Sequence, residues 1–174
     1  MPAPPGIFVP RPRLGALFDP AGARPVTVVC APAGSGKTAL LAHWARGSRA
    51  VAWVSLDNDD NDETRFWAAV LCALRRCPAV PAESPVHRLA PPAPGERADF
   101  LAELGDAVAG PIWLVLDDFH EIVHEEPVAE LLRHQPPGLR LVLATQREPR
   151  LRLARLQLLG RLARIGAAEL RFTT

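Results

Sequence analysis

The stretch that most constrains the fold is Ala31-Pro32-Ala33-Gly34-Ser35-Gly36-Lys37-Thr38. It fits the spacing G-x-x-x-x-G-K-S/T at every fixed position but the first, where alanine stands for glycine. Its flanks matter as much as its letters. Val26 to Cys30 ahead of it is a β-branched run bounded by Pro25, which suits a buried parallel strand, and Thr38 to Arg46 behind it reads as a helix. Strand, tight loop and helix in that order aim successive backbone N–H groups and a helix N-terminus at one point, an arrangement that binds phosphate. Gly34 and Gly36 let the backbone curl close to the anion, between the amides of Ala33 and Ser35. Lys37 would neutralise the β- and γ-phosphates of a nucleotide and the Thr38 hydroxyl would ligate Mg²⁺. ATP or ADP with Mg²⁺ is therefore the expected ligand, and a glycine-rich turn with an exposed lysine is the plain alternative. Lys37 is the only lysine among 20 basic residues.

A second motif lies downstream. Ile112-Trp113-Leu114-Val115-Leu116-Asp117-Asp118 is an apolar strand ending in two carboxylates. Asp117 would hold the metal through water, and Asp118, one residue beyond the strand, would polarise an attacking water as the catalytic base. A strand end capped by two acids is the alternative, and the phosphate loop upstream argues against it. Leu141-Val142-Leu143-Ala144-Thr145-Gln146-Arg147 is a third strand ending in polar groups. In additional-strand P-loop proteins the corresponding strand lies between the other two, so Thr145, Gln146 and Arg147 are candidates for sensing the γ-phosphate. Arg147 serves that role or merely solvates the surface. His120, His124, Trp53 and Trp113 have no partners at metal or catalytic spacing and are expected to pack in core or loops.

Between these motifs strands and helices alternate. Val51 to Leu56 reads as a strand, Asp57 to Asp62 as a polar loop, and Phe66, Trp67, Val70, Leu71 and Leu74 fall at helical spacing. Pro78 to Pro94 is expected to be a flexible loop, Arg97 to Val108 a helix, Val128 to Arg133 a short helix and Leu139 to Ala144 a strand. A helix is expected over Leu151 to Leu159 and a fifth strand over Ala168 to Phe172. The pattern predicts an α/β fold: a three-layer α/β/α sandwich of the additional-strand, AAA-like P-loop NTPase type, with a mostly parallel five-stranded sheet. Residues 1–20, punctuated by prolines, form an N-terminal arm with a short helix around Leu14 to Phe18, and residues 21–174 the NTPase domain.

The sequence resembles the nucleotide-binding domain of the large ATP-binding LuxR-type transcription regulators, the maltose-regulator-like branch of the STAND class of signalling ATPases. The residues that carry the resemblance span nearly the whole chain. They are Val9-Pro10-Arg11-Pro12-Arg13-Leu14, Ala31 to Leu41, Ser55-Leu56-Asp57 with Asp60-Asn61-Asp62 and Arg65-Phe66-Trp67, Leu116-Asp117-Asp118-Phe119-His120, and Leu153-Ala154-Arg155-Leu156 before Leu170-Arg171-Phe172. The resemblance implies a switch that rests with ADP, takes up ATP when an inducer binds a distal domain, and then self-associates to activate transcription. It also implies that Val9 and Arg11 pack near the adenine. Similar proteins place an arginine directly after the strand-end Ser or Thr, whereas here Gln146 holds that position and Arg147 follows. The winged-helix, helical-repeat and helix-turn-helix regions of the family have no counterpart in the 174 residues.

Composition bounds the rest. Apolar residues make up 48% of the chain, enough for one good core. A formal net charge of +1 with scattered arginines gives no concentrated basic stripe, so no nucleic acid is an expected partner of this chain alone. No segment has the length to span a bilayer, which makes the cytoplasm the expected compartment. Cys30, Cys72 and Cys77 lack metal-ligand spacing and are expected to be reduced thiols. Three functions compete: an ATP-binding switch module with slow hydrolysis at most, joined to further regulator domains in a longer protein; a small P-loop kinase or stand-alone ATPase; and an interaction fragment with a vestigial site. The paired acids favour water over another acceptor.

Overall fold

The computed structural model describes residues 24–170. Its elements in chain order are β1 (Val26–Cys30), α1 (Lys37–Arg46), β2 (Val51–Ser55), α2 (Glu63–Arg75), α3 (Arg97–Ala107), β3 (Ile112–Asp117), α4 (Glu126–Arg133), β4 (Leu139–Thr145), α5 (Ala154–Leu158), β5 (Leu162–Ile165) and α6 (Ala167–Leu170). Single 3₁₀ turns occupy Asn58–Asn61, Pro85–His87 and Phe119–Glu121. The five strands form one sheet in the order β2-β3-β4-β1-β5, every adjacent pair parallel. β4 is thus inserted between the strand that feeds the phosphate loop and the strand that ends in the acids, as expected of an additional-strand P-loop fold.

Strand side chains alternate between two covered faces, which is why β3 reads as an unbroken apolar run and is buried at all six positions. Val26, Val28, Val54, Leu114, Leu116, Leu141 and Leu143 point to the larger cluster, closed by Phe66, Trp67, Val70, Leu71 and Leu74 of α2, Phe100, Leu101 and Leu104 of α3, and Val128 and Leu131 of α4. Val29, Trp113, Val115, Val142, Ala144 and Ile165 point the other way, against Leu40 and Leu41 of α1 and Leu170 of α6. Trp67, fully buried, meets Phe66 and Phe100 edge to face at 5.0 Å each. Truncating it to alanine would cost about 3–5 kcal/mol. On the other face Trp44 of α1 meets Trp113 of β3 at 5.2 Å and 83°, with the Arg140 guanidinium 5.2 Å from the Trp113 ring.

Three expectations are corrected. The fifth strand is Leu162–Ile165, paired in parallel with β1, and Ala167–Leu170 is helical rather than extended; residues 171–174 lie outside the described residues. Gly160 at φ 66° turns the chain so that Leu162 can pair, and the Glu169 carboxylate accepts from the Gly166 N–H at 2.9 Å to start α6. The helix expected over Leu151 to Leu159 shrinks to Ala154–Leu158, because Leu151 and Leu153 are buried as anchors ahead of it while Leu158 and Leu159 stand exposed. The proline-rich stretch from Pro78 to Pro94 is a loop, but a pinned one: Val86 is fully buried, the Ser84 hydroxyl donates to the Ala107 carbonyl at 3.2 Å, and Arg75 donates to the Val86 and Leu89 carbonyls. The N-terminal arm, with the Leu14 to Phe18 helix expected in it, lies outside the described residues. Among the described residues no helix is long and apolar enough to cross a membrane.

Candidate functional site

The site assembles where the strands end. β1 hands over at Cys30 to a loop whose first residue, Ala31, donates its N–H to the Thr145 carbonyl of β4 at 3.1 Å. Ala31 is buried against Leu40 and Leu41 and has no positive φ, so the glycine usual at that position is dispensable here. Gly34 (φ 74°) and Gly36 (φ 83°) do occupy the left-handed region that glycine enters without steric cost. Ser35 closes the turn, its hydroxyl donating to the Pro32 carbonyl at 2.7 Å. Gly36 caps α1 without a side-chain acceptor, and no acid lies in the first turn. No side-chain cap and no first-turn acid therefore neutralises the positive end of this helix.

Lys37 is 7% exposed, and its ammonium donates to the carbonyls of Ala31 (2.7 Å) and Pro32 (3.0 Å). Burial pulls its pKa down, against the opposing pull of Asp117 and Asp118. The Thr38 hydroxyl donates to Asp117 Oδ1 at 3.1 Å, so the phosphate loop and the acid strand touch directly. Asp117 is 2% exposed. Its burial pushes the carboxyl pKa up and the Asp118 charge adds to that, while the Thr38 hydroxyl, the Asp118 N–H and Lys37 pull it down. Asp118 is half-buried at φ 56°, the one non-glycine residue with positive φ among those described. No sequence pattern announces that conformation.

Gln146 and Arg147 follow β4 and are exposed. Pleat alternation would return Gln146 to the face of α1, but the strand stops at Thr145, whose hydroxyl donates to the Arg147 carbonyl at 2.8 Å and closes a turn. Arg147 then reaches sideways and donates to the His120 carbonyl at 2.5 Å, across the loop that follows the acids. The structure therefore brings Lys37, Thr38 and Asp117 together, sets Asp118 beside them and ties Arg147 to the adjoining loop. Val9 and Arg11 lie outside the described residues.

Two stitches between the strand-end loops were not singled out as site features from sequence. Asn61, noted only within the Asp-Asn-Asp signature, bonds the backbone of residues 121–124. Glu125, after the acids, is half-buried near Arg150, with burial pushing its carboxyl up and the backbone and charge of Arg150, then the charge of Arg147, pulling it down. A cavity of about 380 Å³ lined by Ala98, Ala102, Leu132, Arg133, His134, Gln135 and Arg161 lies at the opposite ends of the strands and includes none of these residues.

The residues present fit a magnesium nucleotide. Among the described residues no group of three His, Cys, Asp or Glu could hold a metal by itself. Thr38 and Asp117 offer two oxygens, the pattern of an ion that keeps waters and takes its remaining ligands from phosphate.

No protein-family model matches the chain. It is 36% identical over 156 residues to the HTH-type transcriptional regulator MalT of Serratia proteamaculans, covering 85% of this chain and 17% of that protein. It is 34% identical over 173 residues to MalT of Klebsiella pneumoniae subsp. pneumoniae, covering 95% and 19% respectively. The chain thus spans about a fifth of the length of these relatives. Among solved structures it is similar to a STAND protein with a tetratricopeptide repeat sensor from Pyrococcus horikoshii, at a TM-score of 0.63 and 16% identity over 95% of this chain and 24% of that one. It is also similar to Drosophila ORC bound to DNA, at a TM-score of 0.51 and 15% identity over 90% of this chain and 42% of that one. By sequence the chain is homologous, over nearly its whole length, to a segment of about a fifth of the MalT-type transcriptional regulators, and its fold is that of the P-loop NTPases.

Proposed function

We propose that the chain is the ATP-binding switch module of a signal-responsive LuxR-type transcriptional regulator, working with further regulator domains and self-association in a longer parent protein. The observation that carries the proposal is the 3.1 Å hydrogen bond between Thr38 and Asp117, beside the buried Lys37 ammonium. One hydroxyl, one carboxylate and one cation from two distant stretches of sequence converge at the end of a helix that offers free N–H groups.

In this reading Lys37 exchanges the Ala31 and Pro32 carbonyls for phosphate oxygens. Those carbonyls hold the ammonium while no anion does, so the buried charge is never without partners. Thr38 and Asp117 would hold Mg²⁺, which would supply charge neutralisation at the phosphates. Asp118 orients and deprotonates water slowly. Gln146 and Arg147 stand where the γ-phosphate is sensed, and the tie of Arg147 to the His120 carbonyl gives that residue a resting position to leave when ATP arrives.

Calorimetric titration with ATP and ADP, each with Mg²⁺, tests this on the parent and on Lys37→Ala. The variant loses an ammonium from a site otherwise built of neutral amides, and its affinity should fall at least a hundredfold, on the order of 3 kcal/mol for a charge-assisted contact to phosphate. Equal affinity in parent and variant would refute the assignment of the loop.

A further inference from the structure

Asp118 sits in a conformation that a non-glycine residue leaves unless its surroundings hold it there. On its N-terminal side β3 fixes it: the Leu56 N–H donates to the Asp117 carbonyl at 3.0 Å, and the Asp118 N–H donates to Asp117 Oδ1 at 3.1 Å. On its C-terminal side the 3₁₀ turn Phe119–Glu121 is closed by Glu121 N–H to the Asp118 carbonyl at 2.9 Å and by burial of Phe119 and Ile122. Two side chains from neighbouring loops tie that turn further: one is Arg147, which donates to the His120 carbonyl, and the other is Asn61. Its amide donates to the Glu121 carbonyl at 3.0 Å, and its Oδ1 accepts from Val123 N–H at 2.6 Å and from His124 N–H at 3.2 Å.

The base of this tie is itself rigid. Asn61 ends the turn Asn58–Asn61 and donates to the Asn58 carbonyl at 3.0 Å. The turn opens on a reciprocal cap in which Asp57 accepts from Asp59 N–H and Asp60 accepts from Asp57 N–H. It closes on Asp62, which caps α2 by accepting from Arg65 N–H at 2.9 Å. One carboxamide therefore transfers the rigidity of a doubly capped turn onto the loop that carries Asp118. The stem of Asn61 is half-buried and the loop it holds is exposed, so removing the amide lets water replace most of what is lost.

We propose that Asn61 is a positioning residue for Asp118, fixing the loop after the acid strand so that this carboxylate faces its water. The inference rests on the nucleotide-site reading above. Asn61→Ala and Asn61→Asp test it in the full chain; the aspartate keeps the acceptor for Val123 and His124 but loses the donor to Glu121. In Asn61→Ala, amide exchange across residues 118–124 should rise at least tenfold. Single-turnover hydrolysis of ATP with Mg²⁺ should fall about tenfold with nucleotide affinity within about twofold, and Asn61→Asp should fall between. A loosened loop with unchanged turnover overturns the positioning role, as does an equal loss of affinity and turnover. If the parent itself fails to bind ATP with Mg²⁺, the nucleotide-site reading falls instead, and unchanged exchange at Asp118 and Phe119 in Asn61→Ala would overturn the inference independently.

Discussion

Replacing Asp117 by asparagine should move thermal stability in opposite directions depending on what the site holds. The carboxylate is 2% exposed and its pKa is raised, first by burial and next by the Asp118 charge. A group whose folded pKa lies above its unfolded value destabilises the ionised native state above the folded pKa, and this penalty vanishes below the unfolded one. An amide of the same shape keeps an oxygen for the Thr38 hydroxyl and the Asp118 N–H while removing the charge. Relief of that kind is worth on the order of 1–2 kcal/mol, or about 2–8 °C in Tm for a domain of this size. In EDTA without nucleotide at neutral pH, Asp117→Asn should therefore melt higher than the parent. The gap should close as pH falls through the raised pKa toward the ordinary carboxylate range. With Mg²⁺ and ATP at about a hundred times Kd the order should reverse. The parent gains about 2.7 kcal/mol, roughly 5–11 °C, whereas the variant lacks the anionic ligand and its Mg²⁺-dependent affinity should drop at least tenfold. Differential scanning calorimetry across pH, with and without ligand, makes the measurement. A variant that melts below the parent in EDTA at neutral pH, or keeps the full Mg²⁺ enhancement, would refute the reasoning.

Three other outcomes are expected. Asp118→Asn should retain ATP affinity within about threefold and slow single-turnover hydrolysis at least a hundredfold, read by quench-flow or filter binding. Arg147→Ala should lower the preference for ATP over ADP in a competition titration, while Gln146→Arg should raise it by about tenfold, the 1.4 kcal/mol of one added ionic hydrogen bond. Glu63 accepts two bonds from Arg97 and one from Trp67, and the Arg97 bonds hold its carboxyl below the usual range. Because that pKa is depressed on folding, its contribution is present above about pH 4.5 and lost as pH falls through the folded value. Both groups are partly exposed, so Arg97→Ala should flatten the acid limb of a denaturation profile by only about 0.5–1 kcal/mol.

Legibility in the sequence followed local patterning. β1, β3 and β4 were readable because strands covered on both faces need continuous apolar runs, and α2 because Phe66, Trp67, Val70 and Leu71 recur at helical spacing. β5 was not readable. Leu162-Ala163-Arg164-Ile165 has its middle two side chains half-buried or exposed at a sheet edge, and only pairing with β1 makes it a strand. The phosphate loop and the acids were visible as letters, and the sheet order explains why residues 79 positions apart meet at Thr38 and Asp117. What stayed hidden was carried by single side chains reaching between loops. The bonds of Asn61 to residues 121–124 and of Arg147 to His120 have no periodicity to betray them, and the left-handed Asp118 depends on context that a linear reading does not contain.

The edge-to-face pair of Trp44 and Trp113 has a spectroscopic consequence. Trp44 lies two helical turns beyond Lys37 on α1, and Trp113 lies four residues before Asp117 on β3. Two indoles 5.2 Å apart couple electronically, and their near-ultraviolet circular dichroism depends steeply on separation and angle. The pair therefore forms a native optical gauge spanning the helix that would hold phosphate and the strand that would hold the metal. Any shift of one against the other during nucleotide exchange would be written into the aromatic spectrum of the unlabelled chain.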